Sequence, residues 1–412
     1  MAPNILVVVI EGLSANLISA FGSTIAKTPT IDRLAAWGLV LDQCYVDGPE
    51  LPSNLKSLWT GMHAMQSSGS PENTLWRILE RAQVPCSLFT DSQEVAEEAT
   101  VLGCQEPIVV RHEPKDSPAE STDDCSLMQL FASVANELED EERNGLVWLH
   151  SSGLTLPWDA PIALRQAFAD PDDPPPPSGI EPPGFQIDAN TDPDELTGWL
   201  QVAAAQVAAF DEAIEGLRAA IENRSDAESW HWCILAPGGI SLGEMGYFGI
   251  HDETDHRRSN NELTAPVIFC PQKRSNAGTR RSELYQLPDV FSSLLDLFRI
   301  DAPTECWGKT VFQSICSQQI TDWPKENQLV AMQAKDQKCW IRSPAWSASI
   351  DDDACSLYVM PDDRWQTSDV ANLRIDVCEL MRSSWSDFVL ATKSNKRGAL
   401  PELPSELTNL IR

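Results

Sequence analysis

Residues 3–12 read PNILVVVIEG, and this stretch decides how the chain begins to fold. Six consecutive apolar residues, from Ile5 to Ile10, form a run that is typical of a strand buried on both faces of a sheet. Glu11 and Gly12 end the run well short of the roughly 18 apolar residues that a membrane-spanning helix needs. No basic leader precedes the run, so we interpret it as a strand rather than an export signal.

Similar short apolar runs recur along the chain and alternate with helical patterns, which is typical of an α/β fold. The predicted strands span residues 5–10, 86–90, 146–150, 232–235 and 266–270. The clearest helix spans about 197–221, where Leu200, Val207 and Ile214 belong to one apolar stripe with steps of three and four residues. We therefore predict a mixed, mostly parallel sheet sandwiched by helices.

Changes in composition predict how the chain is divided. Residues 170–194 are rich in proline and aspartate, so we predict a surface excursion without regular elements. Strand patterns at 338–342 and 356–360 and a helix at 370–381 predict a small C-terminal subdomain of sheet and helix. The predicted units are a main domain at 1–325, the subdomain at 326–395 and a loosely packed polar tail at 396–412.

The net charge of the chain indicates which binding partners are unfavourable, and its cysteines indicate the cellular compartment. Sixty-one acidic and 30 basic residues give a net charge of −31, which repels nucleic acid and anionic lipid. We predict neither nucleic acid nor membrane as a partner. The 11 cysteines are odd in number and lack a C-x-x-C pair, which favours reduced thiols over a disulfide framework. We therefore predict a cytoplasmic protein.

Two segments carry the most specific motifs of the chain: residues 28–35 read TPTIDRLA, and residues 51–61 read LPSNLKSLWTG. The first resembles the pattern T-P-N-L-D-R-L-A of the sulfatase family, in the alkaline-phosphatase-like superfamily, and the second resembles the nucleophile motif of that family leading into L-L-T-G. Further similar segments lie at 3–6, 21–22, 156–158, 210–214, 242–246, 262–268 and 357–371. The resemblance implies an alkaline-phosphatase/sulfatase-like α/β fold from residue 3 to residue 371.

The resemblance also implies a divalent metal, usually calcium, that holds the nucleophile. Such a cation takes six to eight oxygen ligands, mostly from carboxylates. The aspartate pair that follows the family's opening strand corresponds to Glu11 and Gly12, and a second aspartate–histidine pair corresponds to Pro237 and Gly238. One carboxylate remains among these four residues, so we predict that no metal cofactor is bound.

The nucleophile position is also altered. Family sulfatases convert a cysteine or serine there into formylglycine. In this chain the nucleophile and the family arginine correspond to one of two pairs, according to the register: Glu50 with Asn54, or Leu51 with Leu55. Ser53 is the nearest hydroxyl, and we interpret it as a helix N-cap. Lys56 is the basic candidate for binding an ester, with Arg257 or Arg258 as further candidates.

Four other residues have metal-like spacing: His251, Asp252, Asp255 and His256. They would form either a new zinc or manganese site or a solvated loop with local charge pairs. The remaining histidines, His63, His112, His150 and His231, are interpreted as structural.

Three functions follow from these observations. The first is a sulfatase-family protein that has lost ester hydrolysis and binds an unknown small molecule or protein. The second is a divergent hydrolase that uses Ca²⁺ or another divalent metal on sulfate or phosphate esters. The third is a partner of an active paralogue, contacted through the acidic surface or through residues 170–194. We favour the first, because fold and site are separable.

Overall fold

The computed structural model describes residues 3–67, 69–113, 115–251, 259–271, 278–312, 328–334, 338–351, 354–395 and 397–409. The strands are β1 Asn4–Ile10, β2 Leu39–Leu41, β3 Cys44–Tyr45, β4 Cys86–Thr90, β5 Ile108–Val109, β6 Leu146–Ser151, β7 Gly184–Gln186, β8 Trp230–Leu235, β9 Ser241–Leu242, β10 Tyr247–Gly249, β11 Val267–Cys270, β12 Thr279–Arg281, β13 Tyr285–Gln286, β14 Val330–Gln333, β15 Cys339–Arg342, β16 Trp346–Asp351 and β17 Ala354–Val359. The helices are α1 Pro29–Trp37, α2 Leu51–Thr60, α3 Leu75–Arg81, α4 Gln93–Val101, α5 Ser126–Leu138, α6 Ile162–Gln166, α7 Pro193–Glu222, α8 Asn260–Leu263, α9 Leu287–Leu297, α10 Ile375–Lys393 and α11 Ser405–Thr408.

An eight-stranded sheet forms the centre of the protein, in the order β12-β2-β11-β8-β1-β6-β4-β5. Strand β11 runs antiparallel to β8 and β2, whereas the other neighbouring strands of this sheet are parallel. The five predicted strands are β1, β4, β6, β8 and β11. The prediction of a mixed, mostly parallel sheet is therefore confirmed.

The position of β1 between two helical layers explains why its sequence is uniformly apolar. Leu6, Val8 and Ile10 pack into the core on one face of the sheet, with α5 and α7. Ile5, Val7 and Val9 pack into the core on the other face, with α2 and α9. Because successive side chains of a strand point to opposite faces, a strand between two helical layers needs apolar residues at every position.

The segment at 170–194 contains more regular structure than predicted. Strand β7 pairs with β10 in antiparallel register, so the expectation of no regular element here was wrong. Helix α7 also begins earlier than predicted, at Pro193, where Asp192 caps it by accepting a hydrogen bond from the Asp194 amide. The buried Arg165 guanidinium holds the segment by donating to the carbonyl oxygens of Pro177 and Gly179 at 2.5 and 2.8 Å.

A separate antiparallel sheet near the C-terminus has the order β14-β15-β16-β17, and α10 packs on it. The helix was predicted at 370–381 but starts at Ile375, because the preceding residues form turns in which Arg374 donates to the Val370 carbonyl. The tail is not loose, since Leu407 is buried and Arg397 forms a buried ion pair with Asp289. The boundary near residue 325 stays a prediction, because 313–327 lie outside the described residues.

No helix in the described part of the chain is both long enough and apolar enough to cross a membrane.

Candidate functional site

A cavity of about 200 Å³ lies at the carboxyl ends of β1 and β8, and we call it the β1–β8 cavity. It is lined by Glu11, Gly12, Val46, Gly48, Pro49, Glu50, Leu51, Asn54, Thr155, Pro237, Gly238, Gly239, Ile240, Gly249, Ile250, His251, Glu262 and Leu263. The four residues at the predicted metal positions thus lie together, beside three of the residues predicted around the nucleophile. Ser53 and Lys56 are not among the lining residues.

Glu11 is anchored in the wall of the β1–β8 cavity. Its Oε1 lies 2.9 Å from Nε2 of His150, which comes from the neighbouring strand β6 and is fully buried. Glu11 is only 8% exposed, and among the described residues its Oε2 has no hydrogen-bond partner. Oε1 of this carboxylate is therefore paired with His150, and Oε2 can accept a hydrogen bond from a ligand in the cavity.

A residue larger than glycine would be crowded at position 12. Its φ is +73°, a left-handed conformation that favours glycine, and a Cβ there would lie 3.1 Å from Leu154 Cβ and 3.2 Å from Ile240 Cγ2. The backbone also bridges to Gly239. An aspartate at this position would be strained as well as crowded.

The second pair of predicted ligand positions, Pro237 and Gly238, also lacks a side-chain ligand. Gly238 has a φ of +100°, and a Cβ there would lie 3.0 Å from the Glu262 carbonyl oxygen. The next amide, of Gly239, donates to that same carbonyl oxygen at 2.9 Å. Pro237 and Gly238 therefore line the β1–β8 cavity with backbone and a pyrrolidine ring, and neither offers a side-chain ligand.

Helix α2 begins at the β1–β8 cavity, and its first turn is capped by its own residues. Glu50 is the N-cap, and its side chain accepts from the Ser53 amide. The Ser53 hydroxyl accepts from the Glu50 amide at 3.3 Å and donates to the Glu50 carbonyl oxygen at 2.6 Å. The interpretation of Ser53 as the N-cap was wrong by three positions, because the helix already begins at Leu51 with Pro52 in its first turn.

Asn54 presents a donor to the β1–β8 cavity. Its Oδ1 accepts from the Gly48 amide at 3.1 Å, which fixes the orientation of the side-chain amide. The residue is 4% exposed, and its Nδ2 has no hydrogen-bond partner among the described residues. A second polar group of the wall thus points to the cavity with its hydrogen-bonding capacity unused.

His251 and Glu262 form a further pair at the wall, with Nε2 and Oε1 3.0 Å apart. The imidazole stacks on Tyr247 with ring centroids separated by 3.8 Å. Asp252, Asp255 and His256, the other members of the alternative metal cluster, lie outside the described residues, as do Arg257 and Arg258. That cluster stays a prediction.

The described residues do not fit a hard divalent cation. No group of three or more histidine, cysteine, aspartate or glutamate side chains converges on a point among them in a way that would hold a metal. The described lining of the β1–β8 cavity carries three glutamates and no lysine or arginine. Basic groups that would neutralise a sulfuryl group are therefore lacking in this part of the wall.

Two polar clusters near the cavity were not predicted from the sequence. At the ends of β4 and β6, Asp91 accepts from the Ser152 amide and hydroxyl, both at 2.7 Å, and lies 3.4 Å from His112. Burial raises the pKa of Asp91, but the nearby His112 imidazole and the hydrogen bonds from Ser152 outweigh it and hold the pKa below its ordinary value.

The second cluster lies behind α2. Asp47 is fully buried and accepts from the Ser57 hydroxyl and the Ala64 amide, both at 2.7 Å. Burial raises the pKa of Asp47 to about 7 and lowers that of the neighbouring His63 to about 3. No local motif indicates these clusters, because each joins side chains from separate elements.

Comparison with known proteins agrees with this fold. Residues 3–300 match the family model described as Sulfatase. A Δ4,5-hexuronate-2-O-sulfatase of Bacteroides thetaiotaomicron is 32% identical over 95 residues, which are 22% of this chain and 19% of the relative. That match spans about a fifth of the length of the curated relative.

Two solved structures share the fold at low identity. A phosphonate monoester hydrolase of Agrobacterium radiobacter has a TM-score of 0.72 at 14% identity, covering 95% of each chain. A 2-O GAG sulfatase has a TM-score of 0.70 at 15% identity, covering 99% of this chain and 96% of its own. With residues 3–300 of its 412 matching the family model, the chain belongs to the sulfatase family.

Proposed function

We propose that this sulfatase-family protein has lost the hydrolysis of sulfuric esters and acts as a binding or assembly module on the family scaffold. The observation that carries the proposal is the wall of the β1–β8 cavity, where Gly12, Pro237 and Gly238 offer no side-chain ligand and Glu11 is the one remaining acid of the four. A metal that activates a nucleophile and clamps an anion needs several oxygen donors at one point.

The start of α2 supports the same proposal. A helix N-terminus attracts anions through its free amides and its dipole. Here the Glu50 carboxylate accepts from the Ser53 amide and brings a negative charge to the place where an anionic ester would gain stabilisation. Ser53 is bound in the same capping box, so its hydroxyl is committed to Glu50.

The alternative is a divergent metal-dependent sulfatase or phosphoesterase, and one observation favours it. Glu11, Glu262 and His251 all line the same cavity and are ligand types for zinc or manganese. Further donors would have to come from 252–258. This alternative requires a stoichiometric metal, which the first proposal does not.

We also propose that the protein is cytoplasmic. All ten cysteines in the described part of the chain are free thiols, which supports a reducing compartment.

The two functions are separated by metal content and turnover in the full-length protein. After incubation with excess Ca²⁺, Zn²⁺ or Mn²⁺ and dialysis, we expect elemental analysis to give well under one equivalent of metal. We also expect no turnover of an aryl sulfate or an aryl phosphate diester above the buffer rate. One equivalent of metal, together with turnover that is lost on chelation and in Glu11→Gln, would overturn the proposal in favour of the divergent hydrolase.

A further inference from the structure

The described lining of the β1–β8 cavity carries charges opposite to those expected for a site that binds sulfate esters. Glu11, Glu50 and Glu262 line it, and no lysine or arginine does so among the described residues. Carboxylates in a partly closed site favour a cationic ligand, because the wall replaces lost hydration with ion pairing.

An acidic wall alone does not define a ligand site, but two further atoms of this wall do point to one. Glu11 Oε2 and Asn54 Nδ2 have no partners among the described residues, although both residues are more than nine-tenths buried. Both residues line the β1–β8 cavity, so a ligand that enters it can pair with both atoms.

Both side chains are already held in place. Glu11 is fixed through its contact with His150 at 2.9 Å, and Asn54 through its bond from the Gly48 amide at 3.1 Å. Little side-chain entropy remains to be lost when a ligand binds, so the acceptor and the donor are preorganised. The required ligand has a donor, preferably charged, for the carboxylate and an oxygen acceptor for the amide.

We propose that the β1–β8 cavity binds a small amino alcohol in its protonated form. The ammonium group donates to Glu11 Oε2, and a hydroxyl oxygen of the same ligand accepts from Asn54 Nδ2. Glu50 and Glu262 add long-range attraction for the cation. This inference deepens the proposed function and rests on it, because a wall that selects ammonium groups is unsuited to an anionic ester.

The test uses three probes with one ring and different head groups, titrated calorimetrically into the full-length protein at pH 7. They are trans-2-aminocyclohexanol, trans-1,2-cyclohexanediol and cyclohexyl sulfate. We expect the amine to bind at least about tenfold more tightly than the diol, a difference of about 1.4 kcal/mol. We expect cyclohexyl sulfate to bind more weakly than either, and the preference for the amine to decrease as salt is added.

Two substitutions in the wall of the β1–β8 cavity test whether the amine binds there. Glu11→Gln keeps an oxygen for His150 but removes the charge, and should reduce the preference for the amine over the diol about tenfold. Glu50→Gln keeps an acceptor for the Ser53 amide and should reduce the same preference by a smaller factor, which provides a second reading if Glu11→Gln folds poorly. The matched control is Glu94→Gln, which removes an exposed charge on α4 and should leave the preference unchanged.

Equal binding of the amine and the diol, or tighter binding of cyclohexyl sulfate, would overturn the inference. So would a preference for the amine that survives in both Glu11→Gln and Glu50→Gln. Metal content and turnover are measured on the same preparations. A metal-dependent hydrolase refutes the proposed function, whereas an inactive protein without preference for the amine refutes this inference alone.

Discussion

Oε1 of Glu11 lies 2.9 Å from Nε2 of His150, and this contact joins the ends of β1 and β6 beneath the β1–β8 cavity. Among the described residues, Nδ1 of the same imidazole is buried without a hydrogen-bond partner. The histidine therefore depends on Glu11 for its side-chain hydrogen bonding. Glu11 therefore supports the fold as well as lining the cavity.

Removing Glu11 should reduce stability through His150. We expect Glu11→Ala to lower the free energy of unfolding by about 1–3 kcal/mol, because it leaves a buried ring nitrogen unpaired. Glu11→Gln retains an acceptor oxygen and should cost less. Urea unfolding followed by tryptophan fluorescence measures both changes. Equal losses in the two variants would show that the contact with His150 does not stabilise the protein.

An acid at position 12 should be unfavourable. We expect Gly12→Asp to lower the free energy of unfolding by more than the roughly 1–2 kcal/mol that a left-handed backbone costs an L-residue, because its Cβ would also crowd Leu154 and Ile240. Gly22→Asp is the matched control, since Gly22 has a φ of +92° but no atom within 4 Å of the place where a Cβ would lie. A smaller loss in Gly12→Asp than in Gly22→Asp would contradict the crowding.

Asp47 and His63 should give opposite pH dependences. The pKa of Asp47 is raised from 3.8 to about 7, so its contribution to stability is lost as the pH rises from about 4 to 7. The pKa of His63 is lowered from 6.5 to about 3, so its contribution is lost as the pH falls through that range. We expect Asp47→Asn to make the free energy of unfolding rise more steeply with pH between 4 and 7 than in the parent. Parallel pH profiles from urea titrations would contradict this assignment.

The hydrogen bonds of Arg165 should hold the segment at 170–194 in its folded conformation. Its guanidinium donates to four carbonyl oxygens, those of Trp158, Ala160, Pro177 and Gly179. We expect Arg165→Met to cost more than about 3 kcal/mol, because hydrogen bonds from a charged donor contribute about 1.5–3 kcal/mol each. Limited proteolysis should then cut between 170 and 190 more rapidly. Arg218→Met, which removes ion pairs at the surface of α7, is the control and should cost at most about 1 kcal/mol.

The central strands could be predicted from the sequence because each is a buried run of four to seven residues with little polar interruption. Strands β2, β5 and β12 have only two or three residues, which is too short for a periodic pattern to indicate them. Their place at or near the edge of the sheet follows from pairing with distant segments.

The candidate site was predicted in part. The family motifs predicted that Glu11, Gly12, Pro237 and Gly238 lie close together. All four line the β1–β8 cavity. The roles of His150 and Glu262 were not predicted. The first depends on the register between β1 and β6, and the second on the position of α8, and both are long-range relationships that local patterns do not contain.

The left-handed backbones of Gly12 and Gly238 limit which substitutions this protein can accept at the cavity. A codon change can place a ligand side chain at either position, but the backbone there has a conformation that only glycine adopts at low cost. Reversal would need several coordinated changes in neighbouring loops, each without benefit until the others are present. Under the proposed loss of hydrolysis, evolution from this sequence leads more readily to new ligands for the cavity than to a regained metal site.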